Sequence, residues 1–170
     1  MYTLLFPVKT THNILYGINN YFDTKSELSE LNIDGYYTSD NKECGYFSTI
    51  YGMVSSYSAG ENEYVIANQF GYVTFSKVGN KIDFYSPGGK KYSTIENFGY
   101  PYLLENYPYV FILKTNGCGF SQYNITGELI KDNISFNSMI TSISSDKESN
   151  TLISTVDGKV YYYDIDGALF

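Results

Sequence analysis

"TLISTVDGKVYYYDIDGALF", residues 151–170, runs strand-like segment, turn pair, strand-like segment, turn pair. Set back by 87 positions, it falls on "YVIANQFGYVTFSKVGNKIDF", which begins at Tyr64. Ile153 then meets Ile66, Gly158 meets Gly71, Val160 meets Val73 and Tyr162 meets Phe75. The turn Asp166–Gly167 meets Gly79–Asn80, and "MITSIS" at 139–144 matches "MVSSYS" at 53–58. Self-similarity of this kind is the mark of a repeat architecture.

Two further copies extend the pattern. One is "YVFILKTNGCGFSQYNITGELI" at 109–130, the other "NILYGINNYFDTKSELSELNIDGYY" at 13–37. The closing turns "NIDG", "KVGN", "NITG" and "DIDG" end at 35, 80, 127 and 167, with spacings of 45, 47 and 40. Propeller blades of the WD40 kind repeat at about 40–45 residues. In the last unit the expected strands are 139–144, 150–156, 159–164 and a fourth beginning at 168. In the second unit they are 52–58, 64–69, 72–77 and 81–85. Glu27–Asn32 is read as a strand leading into the first closing turn, against a rival helical reading from the Thr24 to Glu27 capping spelling.

Composition agrees. The chain has 170 residues, 20 Tyr, 11 Phe and 15 Gly. Aromatic and β-branched residues suit a pleated surface, and Gly, Asn and Asp suit tight hairpins. The expected fold is therefore all-β: a propeller-like array of about four four-stranded antiparallel blades, WD40- or PQQ-like. It forms a single domain, 1–170, with approximate blades 1–44, 45–90, 91–132 and 133–170. A β-sandwich has similar strand spacing but does not explain a turn that recurs every four strands. Only "ALF" follows the last turn, so we expect an incomplete array: a truncated product, or a homo-oligomer whose copies complete one propeller.

Two expectations follow from the register. Ile66, Val73, Phe75, Ile153, Val160 and Tyr162 should face packing between sheets. Gly35, Gly127 and Gly167, with Asn80 in the fourth place, should hold left-handed backbone, which Gly adopts freely and Asn at small cost.

The net charge of −7 excludes a nucleic-acid binder, which needs clustered Lys and Arg. No stretch approaches the length of a membrane span, so no membrane insertion is expected. Cys44 and Cys118 make neither a disulfide framework nor a zinc pattern, which leaves two thiols or a single bridge. His12 is the sole histidine, so neither a Ser-His-Asp triad nor a His-rich zinc site is expected, and His12 reads as a turn residue. The acidic residues Asp34, Asp157, Asp164 and Asp166 read as turn formers, not calcium ligands. No catalytic residue, metal or cofactor is assigned. Tyr100, Tyr102, Tyr107 and Tyr109, in "GYPYLLENYPYVF" at 99–111, are the candidate interaction surface. Tyr gives contact area at low entropic cost.

"VGNKIDFYSPGGKKY", "GYPYLLENYPYVFIL", "NITGELI" and "SISSDKESNTLISTVDGKVYYYDIDGALF" together resemble a region of certain spirochaete envelope proteins. That region precedes the peptidase domain of M23 (lysostaphin-like) metallopeptidase family members. The likeness covers about residues 60–170, and "GYPYLL" at 99–104 is its most particular element. Such peptidases bind zinc through H-x-x-x-D and H-x-H motifs, and neither is present, so no catalytic residue carries over. The resemblance implies a periplasmic or envelope location, otherwise cytoplasmic, and a protein or peptidoglycan-associated partner. We therefore expect a non-catalytic interaction or scaffolding module. The alternative is a carbohydrate-active enzyme using paired carboxylates on the propeller face.

Overall fold

The computed structural model describes residues 33–169. His12 and the expected strand Glu27–Asn32 lie outside them. The described chain is built from fourteen strands in four antiparallel sheets. The first sheet is β1 (Gly35–Ser39), β2 (Glu43–Ser48) and β3 (Gly52–Ser58). The second is β4 (Glu63–Asn68), β5 (Gly71–Ser76), β6 (Lys81–Tyr85) and β7 (Lys91–Glu96). The third is β8 (Tyr100–Leu103), β9 (Tyr109–Leu113), β10 (Gly119–Asn124) and β11 (Leu129–Ser135). The fourth is β12 (Ile140–Ser145), β13 (Thr151–Thr155) and β14 (Val160–Tyr163), and a Tyr163–Leu169 bridge starts one more strand. Each sheet is a meander, in which every strand pairs with its neighbour in sequence.

Three apolar layers join the sheets in series. Cys44 and Tyr46 of the first sheet pack on Val65 and Tyr72 of the second. Val73, Ile82 and Phe84 of the second pack on Val110, Ile112 and Ile125 of the third. Phe111 and Phe120 of the third pack on Ile153 and Tyr163 of the fourth. The period-2 alternation of strand side chains explains how the middle sheets serve two layers: Tyr72 and Val73 are adjacent in sequence and face opposite ways. In β5 and β10 the first four residues are all buried, because both sides are covered.

Among the described residues one hairpin form recurs five times, at 86–90, 124–128, 146–150, 155–159 and 164–168. In each, the first residue's N–H donates to the fifth residue's carbonyl, and the fourth residue's N–H donates to the first residue's carbonyl. The fourth residue is left-handed in every case: Gly89 (φ 84°), Gly127 (87°), Ser149 (70°), Gly158 (79°) and Gly167 (80°). This is the three-residue hairpin loop in which a type I turn is followed by a left-handed residue. A side-chain oxygen often seals it. Asp146 Oδ1 accepts from the N–H groups of Glu148 and Asn150, and Asp164 Oδ1 accepts from that of Ala168.

The structure corrects parts of the repeat register. Segment 52–58 pairs with β2 and closes the first sheet, whereas the repeat reading had it open the second. The 87-position offset therefore slips by one strand, matching β13 to β4 instead of β12 to β4. "KVGN" links the second sheet's second and third strands, while "NITG" and "DIDG" follow the third strand of theirs. Gly35 and Asn80 are not left-handed. Gly35 begins β1, and the ring of Phe47 lies where its Cβ would be. Of the six residues expected in packing, Val73 and Ile153 are fully buried and Ile66 and Phe75 are partly buried. Val160 and Tyr162 are exposed, because they sit on the outward side of the fourth sheet.

Candidate functional site

β8 is the edge strand of the third sheet, which is a place where Pro101 is tolerated for want of an N–H. Gly99 leads into it. A side chain there would run into the Leu113 carbonyl and Ile112, so only glycine lets the chain pass this close to β9. The Asn97 side-chain oxygen accepts the Gly99 N–H at 2.8 Å and shapes the entry. Along β8, Pro101 is buried while Tyr100 and Tyr102 are each 44% exposed. The i, i+2 spacing puts both tyrosines on one side of the strand. Phe98, just upstream, is 70% exposed.

Two clefts flank this edge. One, of about 220 Å³, is lined by Thr38, Asn41, Ile66, Ala67, Pro101, Tyr102 and Leu103, so it draws on the first three sheets. The other, of about 290 Å³, is lined by Asn97, Phe98, Gly99, Lys114, Thr115 and Asn116. Neither lining includes a carboxylate.

The four candidate tyrosines divide. Tyr100 and Tyr102 form an exposed pair. Tyr107 is half-buried and stacks on Tyr109, with ring centroids 6.2 Å apart. Tyr109 is buried, and its hydroxyl donates to the Lys147 carbonyl at 2.8 Å. Tyr109 therefore belongs to the layer between the third and fourth sheets, not to the surface. Burial raises its pKa, with a smaller push from the Asp146 charge.

Two residues that place this surface escaped the sequence reading. Asn68 is buried, and its amide donates to the carbonyls of Leu104 (2.7 Å) and Tyr107 (3.3 Å). Its side-chain oxygen accepts the Phe70 N–H, and its own carbonyl accepts the Tyr46 hydroxyl. One asparagine thus ties the first three sheets together. The only sequence signal was its place before a turn. Lys131 is the second. It is buried between the third and fourth sheets, where Nζ donates to Gln122 Oε1 (2.9 Å) and to the Ser149 carbonyl (2.5 Å). Burial lowers its pKa, against the pull of Asp164, Asp146 and Asp166.

The carboxyl groups bear on the enzyme alternative. Asp34 is held low by the Thr49 backbone amide and hydroxyl, Asp146 by Asn150, and Asp157 by Lys159 and Thr155. At Asp83 burial pushes upward, but hydrogen bonds from Thr94 and Lys91 outweigh it and the pKa falls. None of these is a raised acid of the kind a glycosidase uses. Among the described residues no group of three or more His, Cys, Asp or Glu could hold a metal. Both cysteines are free thiols. Cys44 is buried in the first layer, where burial pushes its pKa up to about 11, and Cys118 lies in the turn before β10. Among the described residues no helix is long and apolar enough to cross a membrane.

Serial antiparallel meanders of three or four strands, packed face to face, are the pattern of a β-propeller array, whose complete blades have four. Solved structures agree. A crystal structure of HIRA, residues 644–1017, superposes with a TM-score of 0.56 at 12% identity, over 75% of this chain and 44% of that one. Hsv2 from Kluyvelomyces marxianus gives 0.55 at 15% identity, over 79% of this chain and 44% of that one. The chain thus spans less than half the length of these structures. No curated protein sequence matches it. A family model described as beta-propeller protein matches residues 23–170, and the chain belongs to that family.

Proposed function

We propose that this chain is a propeller interaction module whose contact surface is the β8 edge. The observation that carries the reading is the pairing of Tyr100 and Tyr102, each 44% exposed, on one side of an edge strand between two clefts. Amphipathic rings held on a rigid strand give contact area without a large ordering cost. Pro101 blocks the edge from acting as a simple template for strand addition, so recognition falls to side chains.

The likeness of residues 60–170 to the region preceding an M23 peptidase supports an envelope setting. In that setting the module positions a peptidase against cross-linked peptidoglycan, and its partner is that catalytic domain or the wall itself. The test is cosedimentation of the purified chain with isolated peptidoglycan sacculi, and pull-down by an isolated M23 catalytic domain. The Tyr100→Ser/Tyr102→Ser double variant should lose most of whichever binding is seen while keeping its melting temperature. Wild-type binding that survives the double variant would move the surface elsewhere. Binding to neither probe would sink the envelope setting.

A further inference from the structure

Among the described residues, five tyrosine rings form one connected group across the first apolar layer. Tyr36 and Tyr46 of the first sheet lie 6.3 Å apart, centroid to centroid, and Tyr46 lies 6.3 Å from Tyr72 of the second. Tyr72 lies 5.4 Å from Tyr57 and 4.7 Å from Tyr85, on which it stacks with 4° between the ring planes. Tyr57 and Tyr85 close the group at 6.4 Å. All five spacings are those of rings in contact. Tyr46 and Tyr72 are buried, while Tyr36, Tyr57 and Tyr85 are partly buried at the margins of the layer.

Phenol rings in contact pass single electrons between them, but a phenol that gives up an electron must also give up its proton. The hydroxyls of the group differ in what can take that proton. Tyr57, on β3, donates to Glu63 Oε2, on β4, at 2.6 Å. This is the length of a charge-assisted O–H···O bond, and a carboxylate within such reach is a base placed to take the proton. Tyr46 donates to the Asn68 carbonyl, which is no base. Asp83, whose charge bears on Tyr85, already accepts from Thr94 at 2.6 Å and pairs with Lys91 at 2.9 Å, so it is the poorer acceptor. Cys44 stands opposite Tyr57 in the strand ladder, but burial pushes its pKa up to about 11, so the reactive thiolate is scarce. The chain has no Trp, the other side chain that yields an electron easily.

We propose that Tyr57 and Glu63 form a redox site, at which the chain holds one oxidising equivalent as a tyrosyl radical. The co-reactant is a diffusing one-electron oxidant of the inorganic-radical class, such as the azide or carbonate radical. One electron leaves the ring group and reduces that radical to its anion. The phenolic O–H bond of Tyr57 breaks, and its proton forms an O–H bond on Glu63. An oxidation begun at Tyr36 or Tyr85 reaches Tyr57 through the rings between. The oxidised pair is a neutral radical beside a carboxylic acid, so no new charge is left in the layer. An electron from a reductant of the ascorbate class, with the Glu63 proton moving back, restores the phenol. This activity is separate from the β8 surface, and neither depends on the other.

The test is pulse radiolysis of the 170-residue chain in oxygen-free azide buffer, followed by phenoxyl absorbance, with high-field electron paramagnetic resonance on frozen samples. Exposed phenoxyl radicals meet in pairs and couple, so their decay quickens with protein concentration. Wild type should add a slower phase whose rate does not depend on concentration. It should also give one narrow resonance line shape, that of a phenoxyl oxygen bonded to a single donor. Tyr57→Phe should lose the slow phase. Glu63→Gln keeps an acceptor for the hydroxyl but no base, and should cut the slow phase about tenfold or more. Tyr51→Phe changes an exposed tyrosine outside the group and should leave it unaltered. Circular dichroism and melting curves check the fold of each variant. A wild type with second-order decay alone, or with a broad line shape from many sites, would overturn the proposal without any variant. So would a slow phase that survives Tyr57→Phe or Glu63→Gln.

Discussion

The backbone of Gly127 lies against Ser93 of the neighbouring sheet, so closely that a Cβ at 127 would overlap the Ser93 hydroxyl. That hydroxyl donates to the Thr126 carbonyl at 2.7 Å. A hairpin tip of the third sheet is thereby seated on the second. Gly167, in the equivalent hairpin of the fourth sheet, has its nearest neighbour, Lys131 Cγ, at 3.9 Å. The two glycines share a backbone conformation and differ in surroundings.

Gly127→Asn and Gly167→Asn should therefore diverge. At Gly167 only the mild left-handed penalty applies, and the loss should stay under about 1 kcal/mol. At Gly127 overpacking adds about 1–3 kcal/mol, because Ser93 Cβ and Phe84 remain at 3.2 Å even if the hydroxyl rotates. Gly127→Val should be worse still. Urea melts check the order, and equal midpoints for the two Asn variants would refute the seating argument.

Lys131→Ala should destabilise by about 2–4 kcal/mol, since it opens a cavity and removes a donor from two buried acceptors. Lys131→Met should cost clearly less. It fills the stem's volume and removes a desolvated charge, while the single Thr151 hydroxyl hydrogen still serves one of the two acceptors, Gln122 Oε1 or the Ser149 carbonyl. Denaturant titration of both variants gives the comparison. A Met variant as unstable as Ala would mean that the ammonium itself holds the sheets together.

Alkali should unfold the protein through its first layer. Burial pushes the Tyr72 pKa up to about 12, helped by Cys44 and Tyr85, and it raises Tyr46 and Tyr57 as well. The folded state therefore keeps protons that the unfolded chain releases. The stability from these groups is complete below the unfolded values of 9.0 for Cys44 and 10.0 for Tyr72, and is lost as pH rises toward 11 and 12. Each unit of pH in its window costs about 1.4 kcal/mol per group. Melts between pH 8 and 11, read beside phenolate absorbance, should show stability falling before the buried tyrosines titrate. A flat profile to pH 11 would contradict this.

Zinc should neither raise the melting temperature nor confer peptidase activity, because the ligand motifs are missing from the sequence. The measurements are thermal melts with and without zinc and release of cross-linked muropeptides. Reproducible zinc-dependent cleavage would overturn the assignment as a non-catalytic module.

The sequence by itself determined the local structure. Its β-rich segments became strands, and the turns at 124–128, 155–159 and 164–168 became hairpins of one recurring form, whereas Gly79–Asn80 did not. Strands 139–144, 150–156 and 159–164 all appear as β12, β13 and β14, with a bridge where the fourth was expected to begin. Tertiary structure decided where each sheet starts. Segment 52–58 and segment 64–69 both read as strands, but a strand's alternation does not say which neighbour it pairs with. The same hairpin closes at 146–150, 155–159 and 164–168 within one sheet, so its spelling cannot mark a sheet boundary. The candidate surface follows the same division. Four tyrosines look alike in "GYPYLLENYPYVF", and alternation alone pairs Tyr100 with Tyr102. That Tyr109 is buried while they are exposed depends on the fourth sheet, whose Ile153 and Tyr163 share a layer with Tyr109 and whose Lys147 carbonyl accepts its hydroxyl. Asn68 and Lys131 became visible as ties between sheets only in the fold, because the partners that join the sheets, Tyr46, Leu104 and Tyr107 for Asn68 and Ser149 for Lys131, lie far off along the chain.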